Sequence, residues 1–410
     1  MQIHYHIKEE AGMEATIPDT NLYGAAKEQF TKYSDDIQKI MEQIDRNWKN
    51  LNIMIMGQSG VGKSTLSNAM FGQNMAETGI GKPVTTGIQK YTQNGYTLYD
   101  TAGIEPNSFQ QNELIRSICS FIRSQSTKGI SEHIHMIWYC INASSSRLHQ
   151  VELELLHNVS NAIKESMWNI PVIFVITKPF SVTKKDLNTL TDYIRSQVKD
   201  LFPGSENRIL PVQAINYSVD FGPQVVHIER AGLLELNNAV CALLPDTLHD
   251  SWVRICAVNL DAKVSLAKKI LAKETVAVGC ITASATALSL DDTIPLLFSE
   301  IYLFAKIGSV FNFKVDFHRT VSNVSSTIGI LLTGTISKSL LNLILSIITS
   351  GVTKLVEGVI RLTVTESVVT TLGLAYIELM KRYSTKDLSY DETTKAMEAI
   401  LVETNTKKAA

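Results

Sequence analysis

The chain has 410 residues, of which 45% are hydrophobic and 19% charged, with a formal net charge of -2. That length and apolar content support two or three packed domains, while the near-neutral balance, without a dense Lys/Arg block, excludes a dedicated nucleic-acid binder. Cys119, Cys140, Cys241, Cys256 and Cys280 are scattered without metal-ligand spacing, which excludes a disulfide framework or zinc site, and the opening residues show no secretory pattern. A cytoplasmic protein with reduced thiols is expected.

Residues 1–48 form an N-terminal segment. Within it Leu22, Phe30, Tyr33, Ile37, Ile40, Met41 and Ile44 recur at spacings of three, four and seven, predicting an amphipathic helix inside 20–48 that packs on a neighbouring domain. From 49 to 245, β-type runs at 51–56, 87–92, 96–100, 134–141, 170–177 and 208–214 alternate with helix patterns at 62–72, 111–126, 149–167, 183–201 and 229–243. Fully apolar runs suit parallel strands buried on both faces, so the fold class expected is α/β: a doubly wound, mostly parallel domain followed by an all-α one. Asn94-Gly95 predicts a hairpin between the second and third strands.

Residues 246–403 read as a hydrophobic helical domain and 404–410 as a polar tail. Its most apolar stretches, 275–290, 320–337 and 339–353, are short and diluted by Ser, Thr and Gly, so a soluble bundle and membrane attachment both stay open. His4, His6, His133 and His135 form i, i+2 pairs without a third ligand at suitable spacing, and read as strand or loop histidines.

Chemistry concentrates at Gly57, Gln58, Ser59, Gly60, Val61, Gly62, Lys63, Ser64 and Thr65, a run matching G-x-x-x-x-G-K-[ST] between a strand and a helix. Glycines let backbone N–H groups turn onto phosphate oxygens, and the helix N-terminus adds partial positive charge. Lys63 would reach the β and γ phosphates and Ser64 would ligate Mg²⁺, so this is a P-loop NTPase domain by expectation. Downstream, "YDTAG" (99–103) closes the third strand. There Asp100 would hold the metal through water, and the Gly103 N–H would sense the terminal phosphate.

Over about residues 50–245 the sequence resembles the Era/TrmE-like branch of translation-factor-like GTPases, on these two motifs, "GKSTLSNAMFG" (62–72) and "KPVTTGIQKY" (82–91). The resemblance implies GTP and GDP as ligands, with Thr85 (Thr86 as the alternative) closing over Mg²⁺ and the γ-phosphate. It also implies base contacts from Thr177 and Lys178 and from backbone N–H groups at Gln213 and Ala214. Lys63, Thr85 and Gly103 are thus the catalytic candidates, and Ser64, Thr85 and Asp100 the metal candidates. The stretch 134–156 resembles eukaryote-type members in its Ser-rich turn, with Arg147 as a candidate switch or interface residue. More weakly, 291–383 resembles a hydrophobic helical domain that follows such modules, resting on Pro295, Lys306, Gly373 and apolar spacing.

Three departures matter. Phe180 stands where the family places the guanine-reading Asp, which leaves GTP and ATP both open. Ile104 replaces a water-orienting Gln, which implies slow turnover. Gly60 replaces the Asn of potassium-activated relatives, which predicts no potassium dependence. The expected function is a Mg²⁺-dependent GTP-binding switch and slow GTPase coupled to the helical domain. The alternatives are a membrane-active or scaffold module gated by nucleotide with little turnover, and an ATPase on the same fold. Candidate partners are guanine nucleotide, a membrane or protein at the C-terminal helices, and a second copy across the nucleotide face.

Overall fold

The structure is a computed structural model describing residues 34–72, 82–85, 87–93, 95–104, 111–129, 131–205, 207–221, 224–284, 293–311, 357–383 and most of 392–403. A helix, α1 (Ser34–Asn47), leads into β1 (Leu51–Gly57) and then α2 (Lys63–Phe71). Three strands follow, β2 (Lys82–Thr85), β3 (Ile88–Gln93) and β4 (Tyr96–Thr101). The chain continues through α3 (Gln111–Ser126), β5 (Met136–Asn142), α4 (Gln150–Lys164), β6 (Val172–Thr177), α5 (Lys184–Val198) and β7 (Ile209–Val212).

These seven strands form one sheet in the order β2-β3-β4-β1-β5-β6-β7. The pairs β4–β1, β1–β5, β5–β6 and β6–β7 are parallel, and β2–β3–β4 is an antiparallel edge. Alternation along β1 explains the layering. Met54 and Met56 join a core with Leu114, Ile118, Leu155 and Ile194 on one face, while Leu51, Ile53 and Ile55 join Leu66, Phe71, Val240 and Trp252 on the other. Each such fully buried side chain contributes about 1.5–3 kcal/mol. Helices on both faces of a mostly parallel sheet are the doubly wound arrangement that the alternating runs predict.

Two elements differ from expectation. The run 82–85, which is not among the β-type runs of the sequence, carries β2, whose Thr85 pairs with Ile88. Pro83 argues against an interior strand but is tolerated at a sheet edge, and Gly87 at φ 76° makes the tight turn. A separate hairpin, β8 (Tyr217–Phe221) with β9 (Gln224–Ile228), stands outside the main sheet. The hairpin expected at Asn94-Gly95 is present, with Gln93 opposite Tyr96.

Helices α6 (Leu233–Leu243) and α7 (Asp246–Ile255) come next, and α7 packs Leu248, Trp252 and Ile255 into the sheet's second core. A third core gathers α8 (Leu260–Ser284), α9 (Thr293–Val310) and α10 (Glu357–Tyr383) around Leu271, Phe304 and Tyr376, and Ile44 of α1 belongs to it. Lys306, singled out in the sequence, bonds Glu274 at 2.8 Å across α8 and α9.

Arg254 on α7, 1% exposed, ties these layers together. Its guanidinium donates to Asp45 of α1 at 2.7 Å and to the Ser309 carbonyl at 3.2 Å, with Trp48 at 5.5 Å under it. Lys263 caps the same junction by donating to the carbonyls of Arg254 and Val310. Among the described residues no helix is long and apolar enough to cross a membrane. The segments 20–33, 320–337, 339–353 and 404–410 lie outside the described residues, as do His4 and His6. His133 stacks on Trp168 at 4.3 Å and His135 accepts from the Asn52 N–H at 2.9 Å, which are packing roles.

Candidate functional site

The cleft lies beyond the carboxyl end of β1, where the order of connections reverses between β4 and β5, the usual ligand position of open α/β sheets. Its volume is about 550 Å³, and Ser59, Gly60, Gly62, Lys63, Ser64, Thr65, Thr85, Asp100, Gly103 and Lys178 line it. Ten of the sequence-predicted positions therefore meet in one place. Chain turning at 57–62 is anchored by Val61, 2% exposed, whose carbonyl lies 2.6 Å from the Thr177 hydroxyl. The Lys63 ammonium donates to the carbonyls of Gly57 and Gln58, each at 3.2 Å, and so arches over the loop.

The "DTAG" turn rests directly on this loop. A Cβ at Gly103 would fall 2.4 Å from the Ser59 backbone, so only glycine permits the approach. Gln58 forms a parallel bridge with Ile104, and the Ile104 N–H lies 3.4 Å from the Gly57 carbonyl. Asp100, at the end of β4, has Oδ1 buried without a hydrogen-bond partner among the described residues. Burial pushes its carboxyl above the ordinary range, and the nearby Lys63 charge opposes that. Such an orphaned oxygen beside a serine hydroxyl and an ammonium is an incomplete oxygen-donor set of the kind a hard divalent cation completes.

On the far side of the cleft, Lys178 takes a left-handed backbone, φ 54°, at the start of the turn Pro179–Ser181. Its ammonium donates to the Gly60 carbonyl at 2.8 Å, and the Ser181 hydroxyl donates to the Lys178 carbonyl at 2.8 Å, which together offset a conformational cost of about 1 kcal/mol or more. Phe180, half-buried, stacks on Tyr217 of β8 with ring centroids 4.7 Å apart.

Other predicted positions are placed differently. Gly57, Gln58 and Val61 belong to the loop but not to the lining, and Thr177 is buried beneath it. Gln213 and Ala214 do not line the cleft either. After β7 the chain pairs Gln213 with Ala231 and turns toward β8, while the Gln213 amide donates to the Ile215 carbonyl at 2.7 Å. The Thr85 hydroxyl lies 3.0 Å from that of Ser117 on α3. Arg147 is exposed in its turn.

Residues not anticipated from sequence include Ser117, Tyr217 and above all Glu152. Glu152 is 2% exposed and sits on the core stripe of α4 with Leu155, Leu156 and Val159. A charged residue at i in an otherwise apolar i, i+3, i+4, i+7 stripe is the signal that marks it.

Residues 52–178 match the family model described as 50S ribosome-binding GTPase, and the loop and sheet order are those of a P-loop NTPase domain. Among curated proteins the chain is similar to Septin CDC11 of Candida albicans (strain SC5314 / ATCC MYA-2876), 26% identical over 166 residues, covering 34% of this chain and 39% of that protein. It is also similar to Septin-9 of Rattus norvegicus, 24% identical over 205 residues, covering 42% of this chain and 35% of that protein. The chain thus spans well under half the length of these relatives. Among solved structures, a probable GTP-binding protein engB aligns at 16% identity and TM-score 0.31, covering 47% of this chain and 97% of that one. Translation elongation factor SelB from Methanococcus maripaludis, apo form, aligns at 18% and 0.26, covering 41% and 30%.

Proposed function

We propose that the chain is a Mg²⁺-dependent GTP-binding protein and slow GTPase whose nucleotide state is passed to the helical region. One observation carries the reading: Lys63, Ser64, Asp100 and the Gly103 turn, drawn from two separate motifs, converge on one cleft. The triphosphate would lie on the N–H groups of 57–65, with the Lys63 ammonium moving from the Gly57 and Gln58 carbonyls onto the β and γ oxygens. Ser64 and Thr85 would hold Mg²⁺ directly and Asp100 through water. When bound, the ion neutralises charge on the phosphates.

In the reaction a water oxygen attacks the γ-phosphorus, the bond to the β–γ bridging oxygen breaks, and GDP and phosphate leave. This chain supplies positioning and charge rather than an evident general base. Thr85 lines the cleft with its hydroxyl 3.0 Å from that of Ser117, and turning it from that partner to the cation would make the contact a switch-like alternative. Guanine specificity is supported by the family match alone, because Phe180 offers no carboxylate to a base.

A second reading, a nucleotide-gated module with little turnover, is favoured by Ile104, which is 1% exposed in the core and cannot orient water. Calorimetric titration of the full chain with Mg²⁺ and either GTP or ATP, followed by phosphate release at saturation, tests all of this. Preferential binding of GTP with slow release is expected. Equal or tighter binding of ATP would overturn the guanine assignment, and binding without release would leave the gated module in its place.

A further inference from the structure

The Ser-rich turn and helix at 134–156 have no part in the reading above, yet they reach the phosphate loop from below. Glu152, on the first turn of α4, is 2% exposed and its carboxyl group accepts three hydrogen bonds. The Gln58 amide donates to Oε2 at 2.8 Å, the His149 N–H donates to the same oxygen at 2.9 Å, and the Tyr139 hydroxyl donates to Oε1 at 3.1 Å. Tyr139 is itself fully buried. Burial first, then the adjacent Glu152, holds its phenol well above the usual range, so it stays a donor. All three donors are neutral and come from three different elements: the phosphate loop, the start of α4 and β5.

Gln58 is the only side chain of this set that belongs to the loop. Its main chain does two things at once: its carbonyl accepts from Lys63, and its backbone bridges Ile104, the residue after the "DTAG" turn. A side chain clamped at 2.8 Å therefore fixes the peptide between the phosphate cradle and the γ-phosphate sensor. The same segment also reaches the other side of the site, where the Ser144 and Ser181 hydroxyls lie 2.8 Å apart beside the Lys178 turn.

We infer that Glu152 is a positioning residue for nucleotide binding, acting through Gln58 to hold the phosphate loop in its binding shape; this rests on the nucleotide-binding reading above. It never touches the nucleotide. Its effect is to remove the conformational cost of ordering the loop at the moment of binding, which raises affinity without adding a contact.

The test uses the full chain in four forms: wild type, Gln58→Met, Glu152→Gln and the double variant. Gln58→Met keeps length and packing and removes the clamp; Glu152→Gln keeps shape and can still accept from Gln58 and His149 while donating to the Tyr139 hydroxyl, so it removes only the charge that strengthens the clamp. Affinity for a fluorescent GTP analogue with Mg²⁺ should fall on the order of tenfold in Gln58→Met and roughly threefold in Glu152→Gln, with the double no weaker than the worse single. Hydrogen exchange without nucleotide should speed up at 57–62 in all three variants while β1 and β5 stay protected. Independent, additive losses, or unchanged loop exchange in the folded single variants, would overturn the brace. If wild type binds no nucleotide while exchange still responds as described, the function assignment fails and the brace stands.

Discussion

The two ends of the central sheet solve opposite problems. At the carboxyl ends of β1 and β4, polar groups converge with capacity to spare: among the described residues Asp100 Oδ1 has no hydrogen-bond partner, and Lys63 donates to two loop carbonyls. Toward the other end, where the β3–β4 turn meets Arg254, charge is more deeply buried and is engaged by the chain itself. Arg254 bonds Asp45 and Ser309, and Lys263 bonds two carbonyls. Burial of an ionic group is expensive wherever it occurs, so the difference lies in what completes it. At the junction other parts of the chain do so; at the cleft, in the function proposed above, Mg²⁺ and the phosphates would.

The sharpest way to break this contrast is Lys63→Ala. Losing a charge-assisted contact to the phosphates should cost about 2–5 kcal/mol of nucleotide affinity, a hundredfold or more at the middle of that range, with little change in thermal stability. Titration and differential scanning calorimetry on the same sample read both quantities. At the junction the pattern should invert. Asp45→Ala leaves the buried Arg254 guanidinium without its carboxylate and should cost about 2–3 kcal/mol of stability, less than for a fully enclosed pair because Asp45 is half-exposed, while nucleotide affinity holds. An affinity loss matching that of Lys63→Ala would mean that the two ends are not separate.

Phe180→Asp sharpens the cleft side. A carboxylate at that position should favour GTP over ATP by about 1.5–3 kcal/mol relative to wild type, read as the change in the ratio of the two dissociation constants. An unchanged ratio would show that the Tyr217 stack, not the missing acid, sets the base pocket. The smallest effect is at Lys263, where burial lowers the ammonium to about 7 from its ordinary 10.5. Between those values the unfolded chain binds the proton more than the folded one, so stability rises with pH. The buried cysteines, held above their ordinary range, act in the opposite sense in both proteins, so the Lys263 contribution is read as a difference: from pH 7 to 9 the stability of wild type should gain about 2 kcal/mol relative to Lys263→Met, measured by urea unfolding. A curve that falls over that range in wild type alone contradicts the assignment.

How much of this was legible in the sequence follows from how local each signal is. Apolar runs placed β1, β5 and β6, the loop motif placed Lys63 and Ser64, and "DTAG" placed Asp100 and Gly103, because each depends on neighbours within about ten residues. β2 was missed since Pro83 speaks against a strand unless the strand is known to be at an edge, and edge position is a property of the whole sheet. Thr177 was anticipated at the base and sits instead under Val61, a displacement visible only when β6 is laid beside the loop. Glu152 carried a signal, one acid on an apolar stripe, but its partner Gln58 lies 94 positions away. Arg254 gave none, since a lone arginine near a helix end is ordinarily solvated.

The central claim is that 57–65 with Lys63 cradles a triphosphate. A crystal structure of the full chain grown with Mg²⁺ and a non-hydrolysable GTP analogue tests it most directly. The account predicts the β and γ phosphates on the loop N–H groups, the Lys63 ammonium shifted onto their oxygens, and Mg²⁺ between Ser64 and the phosphates near Asp100. Lys63 still resting on the Gly57 and Gln58 carbonyls with the analogue bound elsewhere, or not at all, would contradict it.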